Sequence, residues 1–293
     1  MEEENIARRK RLFDAANALR QASRDTEKGF RVVITGKGGA GKTTLTALLS
    51  KFFAGKGYNV LAVDEDPQVN LPYSLGIPPD QEITPASRNL DYIEEKTGAR
   101  PGEGWGAMLA LNPDVSDVVD RFGIRTKDGI NLLVMGSVIQ AAAGCLCPEN
   151  ALLDAVMHYI SLREGEVILM DTQAGVEHFG RALAQGFKQA VILTEPTFNA
   201  YQVARHSAKL SRQLNIPHVH LAVNKVRNEE DVEKLKRIAG DSLDYFDEIF
   251  VLPYDEKILL TEPDVTPLLQ EDSPYVEAVR KMVGILERYG VES

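Results

Sequence analysis

Short apolar runs alternate with longer segments of helical period along most of this chain. The runs at 31–35, 59–63, 130–135, 166–170, 190–194, 218–223 and 248–252 predict strands. Several are apolar without alternation, which suits parallel strands covered on both faces. Between them the spacing predicts helices over 41–55, 149–163, 197–214, 229–239 and 274–288. Pro148 suits the start of the second helix, and Thr197 suits a side-chain cap on the third. The alternation predicts an α/β fold, a doubly wound and mostly parallel sheet with helices on both faces. Ligands on such sheets bind at the carboxyl ends of the strands. Residues 77–128 break the rhythm with Gly, Pro and charged residues, and are expected to form an insertion of short helices and loops. Ahead of the first strand, 3–26 reads as a charged amphipathic helix with Ile6, Phe13, Ala16 and Leu19 roughly on one face. Its cluster Arg8, Arg9, Lys10 and Arg11 suits a solvated face or an acidic partner.

Composition narrows the partners. The 293 residues are 44% hydrophobic and 26% charged, enough for a large core, and carry a net charge of −10. That balance argues against nucleic acid as a partner. No apolar run approaches the roughly 20 residues of a membrane span. The C-terminal stripe Val276, Val279, Met282, Val283 and Leu286 fits a core-facing helix better than one lying on a membrane. The N-terminus is charged where a signal peptide would be apolar. With only two cysteines, no secreted disulfide framework is expected, and the expected location is cytoplasmic.

Gly36, Lys37, Gly38, Gly39, Ala40, Gly41, Lys42 and Thr43 match G-x-x-x-x-G-K-[ST], directly after an expected strand and opening an expected helix. The glycines let consecutive backbone N–H groups converge on phosphate oxygens, and the helix N-terminus adds partial positive charge. The expected ligands are ATP or ADP with Mg²⁺, held by Gly36 to Thr43 and by Thr44. Lys42 reaches the β- and γ-phosphates, and the Thr43 hydroxyl ligates the metal. Two further strands end in carboxylates, Asp64-Glu65-Asp66-Pro67 after one and Asp171 after Val167-Ile168-Leu169-Met170. The second has the Walker B arrangement, with Asp171 near Mg²⁺, and Gly175 suits a moving switch loop. The expected organisation is an N-terminal helical extension, 1–29, and a P-loop ATPase domain, 30–293.

Lys37 adds a cation that cradling within one chain does not need. The KGGxGKT loop resembles the deviant Walker A motif of the MinD, ParA and nitrogenase iron protein group. The resemblance implies a homodimer in which Lys37 reaches the partner's nucleotide, joining Lys42 and Asp66 as catalytic residues. It also implies that Asp66 aligns the attacking water, that Asp64 supports the Mg²⁺ shell, and that Asn224, Pro253 and Asp255 surround the base.

Cys145 and Cys147 can both ligate one soft metal, and a Cys₄ site would need a second chain. Zinc or nickel between subunits is therefore expected there, with His178 a possible extra ligand or a hydrogen-bonding residue. Cys-Leu-Cys-Pro-Glu-Asn at 145–150 and Ala-Gly-Val-Glu-His-Phe-Gly-Arg at 174–181 look like the CooC-type ATPases. Thr172-Gln173 departs from the Met-Glu expected in that group. The resemblance implies an ATPase that assists nickel insertion during maturation of carbon monoxide dehydrogenase, so its client would be that or a related nickel enzyme. The alternatives are a positioning switch like MinD or ParA, and an iron–sulfur redox ATPase resembling nitrogenase iron protein.

Overall fold

Strands apolar on both sides need two covering layers, and the computed structural model supplies them. It describes residues 29–101, 110, 113–136, 147–173 and 186–291. The helix expected over 3–26 lies outside the described residues. The seven expected strands are β1 (Phe30–Gly36), β2 (Val60–Asp64), β4 (Asn131–Val134), β5 (Val167–Asp171), β6 (Gln189–Thr194), β7 (His218–Val226) and β8 (Glu248–Pro253). An eighth, β3 (Ile124–Arg125), lies inside the stretch expected to be irregular and pairs antiparallel with β4. The order is β3-β4-β2-β5-β1-β6-β7-β8, and the remaining pairs are parallel.

The helices are α1 (Lys42–Gly55), α2 (Leu71–Ser74), α3 (Leu90–Thr97), α4 (Val118–Phe122), α5 (Cys147–Leu162), α6 (Phe198–Gln213), α7 (Glu229–Ala239), α8 (Lys257–Thr261) and α9 (Pro274–Val291). Alternate side chains of β1 sort into the two layers. Val32 and Ile34 join the core beneath α1 and α9, and Val33 joins the core beneath α5 and α6. The apolar stripe of α9 is buried in the first of these layers, so core packing accounts for it. Thr197 caps α6, its hydroxyl accepting from the Ala200 N–H at 3.4 Å. Among the described residues, no helix is long and apolar enough to cross a membrane.

Register decides what the strand ends present. Asp64 and Asp171 lie opposite each other on β2 and β5, and Ile34 of β1 lies opposite Asp171. The P-loop therefore leaves β1 beside two carboxylates that are far apart in the sequence.

Far from that edge, His220 of β7 is fully buried, with Nε2 3.3 Å from Gln189 Oε1 and no partner on Nδ1 among the described residues. Burial holds its pKa down to about 4, with His218 and Arg212 adding to the effect and Asp247 opposing it. The folded state thus keeps the ring neutral, while the unfolded chain takes a proton near the ordinary value of about 6.5. Its stabilisation is complete above about pH 6.5 and is lost as pH falls, reaching about 3 kcal/mol lost by about pH 4. His220→Gln should shrink the drop in Tm between about pH 7.5 and pH 5. An equal drop in both proteins would place the acid sensitivity elsewhere.

Candidate functional site

The loop after β1 is shaped by close backbone approach. Gly36 has φ +143°, and a Cβ there would come within 2.3 Å of the Leu193 carbonyl oxygen. Gly41 has φ +94° and ends the loop, and a Cβ there would come within 2.5 Å of Asn224 Nδ2. α1 then starts on Gly41 without a side-chain cap and without an acidic residue in its first turn. Its leading N–H groups are left for an anion, in the field of the helix N-terminus.

Two of the loop's carbonyls are gripped from β7. Asn224 Nδ2 donates to Ala40 O at 2.7 Å, and Lys225 Nζ donates to Gly39 O at 2.8 Å. Lys225 is itself paired with Glu195 at 2.6 Å and has a left-handed φ of 59°. Sequence reasoning does not single out Lys225 or Glu195. The one signal is a lysine directly after a strand-end asparagine, and the carbonyl it holds belongs to a loop 186 residues away.

In front of the loop lies a cavity of about 610 Å³. Gly38, Gly39, Gly41, Lys42, Thr43 and Thr44 form its floor. Asp66, Pro67, Gln68 and Gln173 form one wall, and α2 with the segment 258–265 forms another. Lys42 is only 7% exposed, and the acceptor it meets among the described residues is the Lys37 carbonyl at 3.5 Å. Burial lowers its pKa, while Asp171 and Asp66 work to keep it charged.

Asp171 is buried, with one oxygen accepting from the Thr43 hydroxyl at 2.6 Å. The other, Oδ1, has no hydrogen-bond partner among the described residues. Burial pushes its carboxyl up to about 7, against the pull of Thr43 and Lys42, and Asp66 adds to the rise. A cation beside Oδ1 would satisfy that oxygen and favour the carboxylate. Asp171 and Thr43 therefore fit a Mg²⁺ site.

The two oxygens of Asp64 accept from the Asp66 and Leu71 N–H groups, each at 3.0 Å, so it hangs the loop between β2 and α2. Burial pushes its pKa well up, and Asp171 adds to the shift. Asp66 lines the cavity, with Oδ1 accepting from the Gln68 N–H at 2.9 Å. Glu65, between them, is a buried carboxyl pushed up to about 8 by desolvation and then by Asp66 and Asp171.

None of the three residues expected around the base lines this cavity. Asn224 holds the loop as described. Asp255 accepts from the Lys257 N–H at 3.0 Å and from the Ser273 hydroxyl at 2.5 Å. Pro253 closes β8, and neither it nor Asp255 lines the cavity. The Lys37 side chain also lies off the cavity lining and has no hydrogen bond or ion pair among the described residues.

The expected zinc or nickel at the cysteine pair is corrected. Cys145 and His178 lie outside the described residues, and Cys147 opens α5. Among the described residues, no group of three or more His, Cys, Asp or Glu could hold a metal ion. Two thiolates from one chain are half of a tetrahedral set, and nothing in the described fold completes it.

A strand, a glycine loop and an uncapped helix, faced by carboxylates from neighbouring strands, define a P-loop ATPase. The chain belongs to the CobQ/CobB/MinD/ParA nucleotide binding domain family, whose model matches residues 31–262. One relative is an ATP-binding protein of Methanocaldococcus jannaschii, 38% identical over 233 residues, covering 80% of this chain and 88% of that protein. Another is the carbon monoxide dehydrogenase accessory protein CooC of Rhodospirillum rubrum, 33% identical over 269 residues, covering 89% of this chain and 98% of that protein. The MinD cell division protein of Aquifex aeolicus shares the fold, with a TM-score of 0.60 at 22% identity over 88% of this chain and 96% of that one.

Proposed function

We propose that this ATPase is a nucleotide-dependent dimeric switch, cytoplasmic, that serves as an accessory protein in maturation of carbon monoxide dehydrogenase or a related nickel enzyme. The observation that supports the client is the 33% identity to CooC along 98% of that protein's length. In this reading 30–293 is the ATPase domain and 1–29 an extension to it. Gly36 to Thr44 hold the nucleotide phosphates, Lys42 neutralises them, and Asp66 orients the attacking water. Asp171 and Thr43 would hold Mg²⁺, which screens charge on the phosphates.

The Lys37 side chain lies off the cavity lining, and the resemblance to the deviant Walker A loop gives it a role on a second copy of the chain. Two apposed nucleotides concentrate negative charge, and a lysine reaching across ties association to the γ-phosphate. With a non-hydrolysable ATP analogue the protein should sediment as a dimer, and Lys37→Ala should lose that nucleotide-dependent part. A wild-type monomer under both conditions contradicts the dimeric switch.

The client is tested by capture from native anaerobic extract in Mg·ATP. Retention of a nickel enzyme that requires ATP supports the accessory role. The second reading, a positioning switch of the MinD or ParA kind, rests on the family match. ATP-dependent retention of membrane vesicles or DNA without a nickel enzyme would favour it and discard the first.

A further inference from the structure

β7 ends in a way that a regular strand would not. Val223 pairs with Val251 and Val226 with Pro253, so β7 carries one more residue than β8 between the two pairs, a bulge at Asn224 and Lys225. Lys225 has a φ of 59°, which a residue with a Cβ seldom adopts. Successive residues of a regular strand point to opposite faces. Here the bulge sends both neighbours to one target. Asn224 Nδ2 donates to Ala40 O at 2.7 Å, and Lys225 Nζ donates to Gly39 O at 2.8 Å. Glu195, the residue after β6, accepts from the same ammonium at 2.6 Å.

The stretch these contacts hold has little stiffness of its own. Gly38 and Gly39 precede Ala40 and Gly41 follows it, and glycine opens backbone conformations that other residues refuse. Gly39 has φ +73°, and apart from its chain neighbours no atom of the described residues lies within 4 Å of where its Cβ would be. Packing therefore does not fix the loop at that point. A peptide unit is planar, so a carbonyl held in place also sets the N–H across the bond. Lys225 thereby fixes the Gly39–Ala40 peptide, and Asn224 fixes the Ala40–Gly41 peptide. Gly39 and Gly41 both belong to the floor of the cavity. As a stabilising device the bracket is weak. Its ion pair has side chains 46% and 24% exposed, which contributes little, and the left-handed backbone of Lys225 works against it. Stability does not explain a lysine there, and the loop it holds does.

We infer that Lys225, oriented by Glu195, is a positioning residue that keeps the Gly39–Ala40 stretch of the P-loop preformed for phosphate. The inference rests on the ATPase reading of the cavity. A loop ordered in advance loses less freedom on binding. Seated phosphates hold the loop themselves, so loss of the bracket should appear in affinity rather than in turnover. An ammonium near the phosphates would also attract them as a bare charge, and Glu195 separates the two cases by sign. If Lys225 acted only as a charge, removing the carboxylate would strengthen binding, because it takes away repulsion. If Glu195 holds the ammonium on Gly39 O, removing it weakens binding.

Equilibrium binding of a non-hydrolysable ATP analogue with Mg²⁺, steady-state hydrolysis and nucleotide-free melting of Lys225→Met, Lys225→Arg and Glu195→Gln test this. Met keeps the hydrocarbon stem and loses the donors. It should weaken analogue binding about tenfold and raise KM for ATP to match, with kcat within about threefold and nucleotide-free Tm within about 2 °C of the wild type. Arg keeps donors and should bind within about threefold of the wild type. Glu195→Gln should weaken binding about two- to fivefold. Wild-type affinity in the Met protein, no recovery of affinity in the Arg protein, or unchanged or tighter binding in Glu195→Gln would each overturn the bracket. So would a merely structural role, in which Tm and kcat fall together with affinity. Should the Met protein fail to fold, Glu195→Gln alone decides by the direction of its change. If the wild type itself binds no analogue, the failure belongs to the ATPase reading. If the wild type binds it and the variants bind equally well, the failure belongs to the bracket.

Discussion

Lys42→Ala should lower ATP turnover by about 10²- to 10³-fold and should remove most of the nucleotide's effect on thermal stability. The expectation comes from what surrounds the ammonium. It is buried at the start of α1, and the acceptor it meets is a carbonyl 3.5 Å away. Burial depresses its pKa, and Asp171 and Asp66 are the groups that sustain its charge. A phosphate entering the cavity supplies the charged partner the lysine lacks. The backbone N–H groups of the loop and the helix N-terminus stay in place in the variant, so weak phosphate binding should persist. The wild type should melt higher with Mg·ATP than without it, by an amount that follows ligand concentration. The variant's melting temperature should barely respond, while its nucleotide-free melting remains cooperative. A variant that is stabilised by ATP as strongly as the wild type would remove Lys42 from the binding site.

The sheet is legible in the sequence because buried parallel strands must be apolar on both faces. Runs such as Val32-Val33-Ile34 and Val167-Ile168-Leu169-Met170 suit that environment and little else, and each forms a strand. β3 carries two residues and α8 five, too short for a period to show. The P-loop is legible because its chemistry is local, with consecutive residues doing consecutive jobs. Asp171 and Thr43 are legible one at a time, but their 2.6 Å contact depends on the register of β5 against β1.

The departures have the same origin. The resemblance points Asn224 at the base, and in the fold its Nδ2 donates to Ala40 O while its Oδ1 accepts from the Lys225 N–H. Asp64 ends a strand beside the phosphates, and the loop it precedes folds back so that each of its oxygens accepts one backbone N–H. In each case the side chain's hydrogen-bonding capacity is as expected, and its partner is a backbone group that only the folded chain brings near.

Asp66→Asn should stop hydrolysis while sparing nucleotide binding, which separates it from Lys42→Ala. Asp66 is held on both sides. Its own N–H donates to Asp64 Oδ1 at 3.0 Å, and its Oδ1 accepts from the Gln68 N–H at 2.9 Å. Asparagine keeps the shape of the side chain and can keep the Gln68 bond through its carbonyl oxygen. What it loses is a carboxylate oxygen able to accept a proton from, and so orient, an attacking water. General-base and water-positioning groups contribute about 10²- to 10⁴-fold, and the fall in kcat should lie in that range. ATP affinity should change little, since Asp66 faces the phosphates with like charge and its neutralisation removes repulsion rather than attraction. The variant should therefore accumulate in the ATP-bound state, and in the dimeric reading it should remain associated after wild-type protein has hydrolysed its nucleotide and separated. Single-turnover hydrolysis beside equilibrium ATP binding gives the two numbers. A variant with wild-type hydrolysis would place the water elsewhere, with Gln173 on the facing loop the next residue to test. Loss of binding equal to the loss of turnover would make Asp66 a support of the loop, like Asp64 beside it.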